Sequence, residues 1–302
     1  MPMKTVRTFA LIMMMGIGAM GMAQTASSSQ HTLSVQMEEL TAPDFVQAVA
    51  KSEGVCLLPM GIIEKHGPQL PIGSDILQSR ELARRAALKE YAVIFPPYFV
   101  GQINEARHQP GVIAYSHETI WNMLQETLNE LSRNGFKKII IVNGHGGNND
   151  FLNYFCMSQL ESPKDYTVVV FEWAPDSAYS AKFKSMLKSY KGDHADEAET
   201  SMVMAIRPDL VELDKANSQS GANQKRLSKI PYMYTGIWWF ARYPNHYAGD
   251  AGKANADFGN FQLNYKADQL AKLISIMKKD NTIKTLQDEF YREAQNPLNT
   301  KQ

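Results

Sequence analysis

The sequence predicts an α/β fold, in which a parallel β-sheet carries helices on both of its faces. Two observations support this. Several short runs are continuously apolar, as expected for strands that are buried on both faces. These runs alternate along the chain with segments whose apolar residues recur every three or four positions, which is typical of helices. The chain has 302 residues, of which 44% are hydrophobic and 21% charged, and this suffices for one large domain.

The elements follow in order. A helix begins near Thr41, and Gly54 breaks the chain before the first strand. The predicted strands are residues 55–58, 92–95, 139–142 and 167–171. The helices between them are predicted at residues 76–88, from a cap at Ser116 to Gly135, and from about residue 151. The chain is again helical from about residue 258, and 296–302 form a loose tail.

The N-terminus has the pattern of a secretory signal peptide. Lys4 and Arg7 precede an apolar run, and Gly21-Met22-Ala23 offers small residues for cleavage. We therefore expect a signal peptide at residues 1–23, a flexible mature N-terminus at 24–34 and one folded domain at 35–295, located in the periplasm or secreted. After cleavage no membrane contact is expected. An uncleaved anchor or a misassigned start codon are the alternatives.

Charge and cysteine content narrow the class further. The 31 basic and 31 acidic residues balance, and no basic block suggests nucleic acid as a partner. A small-molecule substrate is expected instead. Cys56 and Cys156 are the only cysteines, and they do not form a disulfide framework. Both lie in apolar runs and resemble small buried hydrophobes, although a bridge between them stays open.

Metal-binding side chains follow the first strand. In parallel sheets, ligands gather beyond the carboxyl ends of the strands. Glu64 and His66 are two residues apart, so an extended segment projects both from one face. Asp75 lies at the start of the next helix, where the helix dipole favours a carboxylate. Taken alone, Asp75 is interpreted as a helix N-cap and His66 as a hydrogen-bonded loop histidine.

The third strand is followed by Asn143-Gly144-His145-Gly146-Gly147-Asn148, in which glycines permit close backbone approach to His145. This segment alone is equally consistent with a plain turn or an anion nest. Two imidazoles and two carboxylates on adjacent strand ends together suit zinc or manganese.

A third segment, residues 194–201, opens a helix with His194, Asp196, Glu197 and Glu199. The favourable position of acids at a helix N-terminus explains Asp196 and Glu197. It does not explain His194 and Glu199 together, so these two are candidate site residues.

These segments resemble the motifs of the creatininase (creatinine amidohydrolase) family. Residues 59–75 are similar to its first metal motif, 143–148 to its glycine-rich histidine motif and 194–201 to its late motif, which normally has glycine where Asp196 stands. Gln109-Pro110-Gly111-Val112 and Gly249-Asp250-Ala251 resemble two further recurrent segments. The resemblance covers roughly residues 35–275.

The resemblance implies a three-layer α/β/α fold with a mostly parallel sheet, a homohexamer, and one or two divalent ions of zinc, manganese or iron. It implies that Glu64 and His145 bind one metal, that His66 binds a second, and that Asp75 bridges them. A metal-bound water would attack a carbonyl, most plausibly at a C–N bond of a cyclic amide or related small molecule. His194 would stabilise charge or protonate the leaving nitrogen, and Glu199 would be a metal ligand or the general base.

Two departures bear on the substrate. Creatinine-hydrolysing members have Tyr-Glu after the motif histidine, and this chain has Gly146 and Gly147. They also have Trp-Asp before the late histidine, and this chain has Tyr190 and Lys191. Both argue against creatinine itself. The alternatives are a hydrolase of a cyclic keto-sugar or inositol derivative, and a non-catalytic periplasmic binding protein, which the intact ligand set disfavours.

Overall fold

A computed structural model describes Met1, residues 32–190 and residues 192–301. The predicted signal peptide and most of the predicted flexible N-terminus lie outside these residues and stay predictions. The residues from Leu33 onward form one compact unit.

The sheet is parallel, as predicted. Its described strands are β1 (Val55–Met60), β2 (Val93–Ile94), β3 (Lys138–Asn143) and β4 (Thr167–Val170), in the order β2-β1-β3-β4. β1 and β3 pair along their whole length, from Val55 opposite Lys138 to Met60 opposite Asn143. All four predicted strands are confirmed. The two central ones run further toward the functional loops than predicted, and β2 is shorter.

The predicted helices are confirmed with shifted ends. The α-helices of the described residues are α1 (Ala42–Lys51), α2 (Ser74–Lys89), α3 (His117–Arg133), α4 (Asn149–Ser158), α5 (Ser177–Met186), α6 (Glu197–Ile206), α7 (Trp238–Arg242), α8 (Ala256–Lys279) and α9 (Thr282–Ala294). Ser116 caps α3 as expected, accepting from the backbone N–H of Thr119 at 3.2 Å. The sequence did not predict α5 and α7, because neither has a regular apolar stripe.

The sheet lies between two hydrophobic cores, one on each of its faces. Alternate residues of β1 point to opposite faces. Cys56, Leu58 and Met60 pack with α1, α3 and α4, whereas Val55 and Leu57 pack with α2 and α8. This arrangement confirms the α/β/α architecture and explains why the strands are apolar at every position. Cys56 is fully buried, Cys156 is only half-buried, and both thiols are free.

The loops after β1 and β3 meet at one edge of the sheet. The N–H of Gly144 donates to the carbonyl of Met60 at 2.8 Å, which continues the β1–β3 pairing into the loops. A Cβ on Gly144 would lie 2.6 Å from the carbonyl oxygen of Asp75. Glycine is therefore required where the third strand passes the start of α2. No helix of the described residues is long and apolar enough to cross a bilayer.

Candidate metal centre

The loop after β1 brings three buried side chains together. Glu64, His66 and Asp75 are each at most 1% exposed. His66 Nε2 lies 2.9 Å from Asp75 Oδ1 and 3.8 Å from Glu64 Oε1. Asp75 stands in the first turn of α2, but the N-cap position is Gly73, and the Asp75 carboxylate points at the two histidines. The N-cap interpretation of Asp75 is therefore wrong.

His145 joins this group from the end of β3. Its Nδ1 lies 2.8 Å from Glu64 Oε1 and 3.2 Å from Asp75 Oδ2. The side chain of Asn143 shapes the turn, because its Nδ2 donates to the carbonyl of His145 at 2.7 Å and its Oδ1 accepts from the N–H of His145 at 3.2 Å. The turn thus fixes where the imidazole points.

His194 and Glu199 come from the segment that opens α6. Glu199 Oε1 lies 3.5 Å from His66 Nε2, and Glu199 Oε2 lies 3.8 Å from His194 Nδ1. The His194 and His66 rings are 4.3 Å apart between centroids. The structure therefore brings all six predicted site residues into one cluster, comprising Glu64, His66, Asp75, His145, His194 and Glu199.

Carbonyl groups fix the tautomers of two of these histidines. The carbonyl of Glu64 can only accept, so His66 Nδ1, at 3.2 Å, carries a proton. Asp75 Oδ1, at 2.9 Å, accepts from His66 Nε2, and this is the nitrogen from which a bound cation would displace the proton. The carbonyl of Lys65 accepts from His194 Nε2 at 2.9 Å, so His194 Nδ1 is the free nitrogen facing Glu199. Such second-shell contacts are the means by which proteins orient metal-binding imidazoles.

His246 is a residue of the site that sequence analysis missed. Its Nε2 makes a short hydrogen bond to Glu64 Oε2. The indole N–H of Trp239 donates to His246 Nδ1 at 2.7 Å, so that nitrogen is unprotonated and the proton lies on Nε2. His246 is therefore a neutral donor that holds Glu64 in place. Its position three residues before the Gly249-Asp250-Ala251 segment was the one available signal.

Histidines and carboxylates alternate within the cluster, and each type shifts the pKa of its neighbours. Burial by itself would raise the pKa of Glu64, but the His145 and His194 rings outweigh it and hold that pKa well below its usual value. Burial would lower the pKa of His66, but Asp75 and Glu199 raise it well above its usual value. For Glu199, burial is likewise outweighed by His66 and His194, which lower the pKa to about 2. Both acids thus offer anionic oxygens.

The residues fit a divalent cation. Among the described residues, three buried atoms of the cluster make no well-directed hydrogen bond, namely Glu64 Oε1, Asp75 Oδ2 and His145 Nε2, although His145 Nδ1 lies close to both carboxylate oxygens. Two of these are carboxylate oxygens, which would be costly to bury without a cation or donor. The sets Glu64, His66, Asp75 and His66, His194, Glu199 each hold their donor atoms within 4.8 Å. A mixed nitrogen and oxygen donor set suits zinc, manganese or iron.

The backbone at Gly147 passes close to the side chains of His145 and Glu105. A Cβ at this position would overlap His145 Nε2 and would lie 2.7 Å from Glu105 Oε1. The carboxylate of Glu105 therefore approaches the outer side of His145 from a separate loop, where Gln102 Nε2 donates to its Oε2 at 2.8 Å. Sequence analysis did not single out Glu105.

The remaining acids of the late segment are structural, as the helix-terminus interpretation predicts for Asp196. Asp196 caps α6 by accepting from the N–H of Glu199 at 3.0 Å. Glu197 accepts from the N–H groups of Lys188 and Ser189, at 3.0 and 2.6 Å, and so fastens the preceding loop. Tyr190 is exposed, and Lys191 lies outside the described residues.

Comparison with known sequences agrees with this geometry. The family model Creatininase, described as creatinine amidohydrolase, matches residues 38–274. Creatinine amidohydrolase of Pseudomonas putida is 27% identical over 60% of this chain and 75% of its own length. The 3-dehydro-scyllo-inosose hydrolase of Thermotoga maritima is 24% identical over 72% of this chain and 76% of its own length.

Solved structures show the same fold. A crystal structure of creatinine amidohydrolase has a TM-score of 0.70 at 23% identity, covering 82% of this chain and all of that chain. A structure titled as a manganese form of creatininase has a TM-score of 0.69 at 23% identity and the same coverage. Since the family model spans well over half of the sequence, the chain belongs to the creatininase family.

Proposed function

We propose that this protein is a metal-dependent hydrolase that cleaves a C–N bond of a cyclic amide or a related small molecule. The observation that carries the proposal is the set of buried carboxylate oxygens and imidazole nitrogens of Glu64, Asp75 and His145, which converge where two strands end and include three atoms without a well-directed hydrogen bond. The relatives named above are hydrolases, and a similar protein of Methanobrevibacter smithii is named a deformylase, at 27% identity over 59% of this chain and 66% of its own length.

Glu64, His145, Asp75 and His66 would hold one or two cations, with Asp75 between the two histidines. A divalent cation there supplies Lewis acidity, which polarises a carbonyl and lowers the pKa of water to about 7. Glu64 is pre-oriented for this role because His246 holds its other oxygen. His66 is pre-oriented because its Nδ1–H is engaged with the carbonyl of Glu64.

The proton transfers fall to His194 and Glu199. With His194 Nε2 donating to the carbonyl of Lys65, Nδ1 is the atom that can take up a proton and pass it to a leaving nitrogen. Glu199 Oε2 accepts from the N–H of Ala195 at 2.5 Å, and this keeps the carboxylate 3.8 Å from His194 Nδ1. Glu199 Oε1 faces His66, so this residue contacts both the metal-binding group and the proton carrier.

A second candidate is hydrolysis of a cyclic keto-inositol derivative. The Thermotoga maritima relative named 3-dehydro-scyllo-inosose hydrolase aligns over 72% of this chain, against 60% for the creatinine amidohydrolase. Creatinine itself is disfavoured, since glycine stands at 146 and 147 and Tyr190 is exposed. A binding protein without catalysis would have no need for the proton-transfer pair.

The test combines metal analysis with a substrate screen. Purified protein is assayed for bound zinc, manganese and iron, and then for hydrolysis of cyclic amides, ureides and keto-inositols with and without each metal. We expect metal-stimulated cleavage of an amide. A folded protein that binds no divalent metal at micromolar concentration would refute the proposal, and cleavage of keto-inositols alone would select the second candidate.

We also propose that the mature chain is exported and forms a homohexamer. The N-terminal pattern around Lys4 and Arg7 supports export, and family membership supports the oligomer. Mass spectrometry of the native protein would show a terminus near Gln24, and light scattering would give the mass of six chains. An intact Met1 on cytosolic protein, or a monomer, would contradict the respective proposal.

A further inference from the structure

A pocket lies next to the metal centre, on the side of Glu199. Its volume is about 300 Å³, near the lower limit for small-molecule sites. Its walls include Trp173, Tyr179 and Phe183 from the β4–α5 region, Gln78 from α2, and Lys266 from α8. We call it the Lys266 pocket. Polar residues form the rest of the wall, and an aromatic wall beside placed polar groups is typical of sites that hold a small planar molecule.

Glu199 connects this pocket to the metal centre. It lines the pocket, and Gln78 Nε2 lies 3.4 Å from its Oε1. The Glu199 side chain is 19% exposed, whereas those of Glu64, His66, Asp75, His145 and His194 are 0 to 10% exposed. A molecule in the pocket would therefore reach the centre at the residue that takes part in proton transfer.

Lys266 has no counter-ion within the part of the chain that the structure describes. Its Nζ lies 4.7 Å from the Trp173 ring centroid and 3.8 Å from Met202 Sδ, and it belongs to no ion pair within 4.0 Å. Three carboxylates line the pocket, those of Asp193, Asp196 and Glu199; none is within 4.0 Å of Lys266 Nζ, and two of them have other partners. Asp196 accepts from the N–H groups of Gly192 and Glu199, both at 3.0 Å, and Glu199 faces the histidines. Burial lowers the pKa of Lys266 to about 8, with Glu199 and Asp196 opposing this shift.

A partly buried cation whose contacts are an aromatic ring and a thioether, with no counter-ion, is costly, and an anion supplied by a ligand would reduce that cost. Of the other lysines of α8, Lys272 and Lys279 are exposed, and the side chain of Lys278 is 7% exposed but pairs with Glu90 at 2.5 Å, so Lys266 differs from all three. One lysine offers a single positive charge, and Asp193, Asp196 and Glu199 repel a dianion. This balance favours a carboxylate over a phosphate.

We propose that Lys266 binds a carboxylate of the substrate, while Trp173 and Tyr179 contact its planar or apolar part. This inference rests on the hydrolase function proposed above and narrows its substrate to amides that carry a carboxylate. The amide and the carboxylate must belong to one small molecule, since Glu199 of the centre and Lys266 line a single pocket.

Binding to metal-loaded protein tests this directly. Calorimetry would compare 5-oxoproline with its uncharged carboxamide, and the same probes would be tested on Lys266→Met and on Lys272→Met, an exposed control on the same helix. We expect the wild type and Lys272→Met to bind the acid at least about tenfold more tightly than the amide, and Lys266→Met to lose this preference. At pH 8.5, binding of the acid should draw up protons in the wild type and not in Lys266→Met.

Equal binding of acid and amide by the wild type, binding of neither, or a preference that survives in Lys266→Met would overturn the proposal. Tighter binding of inorganic phosphate than of 5-oxoproline would overturn the assignment to carboxylates. Failure of the hydrolase function would look different, because the acid would then bind in a Lys266-dependent manner while no amide was cleaved by the metal-loaded protein.

Discussion

The metal centre and the Lys266 pocket are adjacent but are built in opposite ways. In the centre, histidine protons and carboxylate oxygens are fixed by a backbone carbonyl, an N–H or a neighbouring ring, as for His66, His194 and Glu64. In the pocket, Lys266 carries a charge that no described side chain neutralises. The side chains of the centre are therefore held in place before any ligand binds, whereas the charge of Lys266 is left for a ligand to balance under our proposal.

This difference separates what relatives share from what distinguishes them. The ligand set resembles the family motifs, and a hydrolytic centre needs such a set for any carbonyl substrate. Recognition depends on the surrounding walls, where Gly146, Gly147 and Lys266 stand in this chain. Variants of the centre should thus affect every substrate, and variants of the pocket should affect only some.

The largest effect is expected from Asp75→Ala. Asp75 contacts both His66 and His145, at 2.9 and 3.2 Å, so its loss removes the carboxylate between the two histidines. We expect loss of bound metal and a fall in activity of roughly a thousandfold, more than the 10–100-fold typical of outer-sphere partners. Elemental analysis of folded protein measures this.

Asp165→Ala is the matched control, since Asp165 is exposed just before β4, at the opposite end of the strand from the centre, where it pairs with Lys137 at 2.5 Å. Lys65 is less suitable, because its Nζ bonds the carbonyl of Asn245 at 2.7 Å, next to His246. Equal metal content in the Asp75 and Asp165 variants would show that the centre is assigned wrongly.

The second-largest effect is expected from Glu199→Gln, which changes the residue that lies between the metal centre and the Lys266 pocket. An amide cannot accept the water proton and binds a hard cation weakly. Turnover should fall about a hundredfold or more. Reduced metal stoichiometry would identify a ligand, and full stoichiometry with low turnover would identify a base. Full activity, with the exposed Glu289→Gln on α9 as reference, would leave Glu199 with neither role.

Trp239→Phe should have a smaller effect on the centre. It removes the N–H that keeps His246 Nδ1 unprotonated, so His246 is free to change tautomer and release Glu64. We expect metal affinity to drop about tenfold, as measured by competition with a chelator. Trp238→Phe is the control, because Trp238 is only half-buried and the hydrogen bond to His246 comes from its neighbour Trp239. Unchanged affinity in Trp239→Phe would mean that Glu64 needs no such support.

The smallest effect concerns the stability of the pocket without ligand. The folded-state pKa of Lys266 lies at about 8, below the value of 10.5 for an ordinary lysine. The unfolded chain therefore binds the proton more tightly, and the charge costs stability below pH 8, a cost that fades as the pH rises to about 10.5. Lys266→Met should raise the free energy of unfolding by about 1–3 kcal/mol at pH 7, allowing for partial solvent screening.

Chemical denaturation at pH 7 and at pH 10.5 would measure this gain and its loss. Lys272→Met, on the exposed side of α8, should change stability little at either pH. A destabilised Lys266→Met at pH 7 would mean that the lysine already has a partner in the free protein, and the contrast between the two regions would disappear.

The amino-acid sequence by itself determined the layered architecture and the residues of the candidate ligand set. The apolar run at residues 55–58 requires burial on both faces, and the spacing of Glu64 and His66 places both on one side of an extended loop. Glycines around His145 marked the second loop. These are local properties, since periodicity and backbone conformation depend on residues that are close in the chain.

Only the tertiary structure decided which other groups complete the site. His246 reaches Glu64 across 182 positions of sequence, Glu105 approaches His145 from a separate loop, and Lys266 enters the pocket from α8. It also turned Asp75 from a possible helix cap into an inward-facing carboxylate. A lysine or histidine has the same local signature whether it faces solvent or a cavity, because its surroundings come from chain segments far away in sequence.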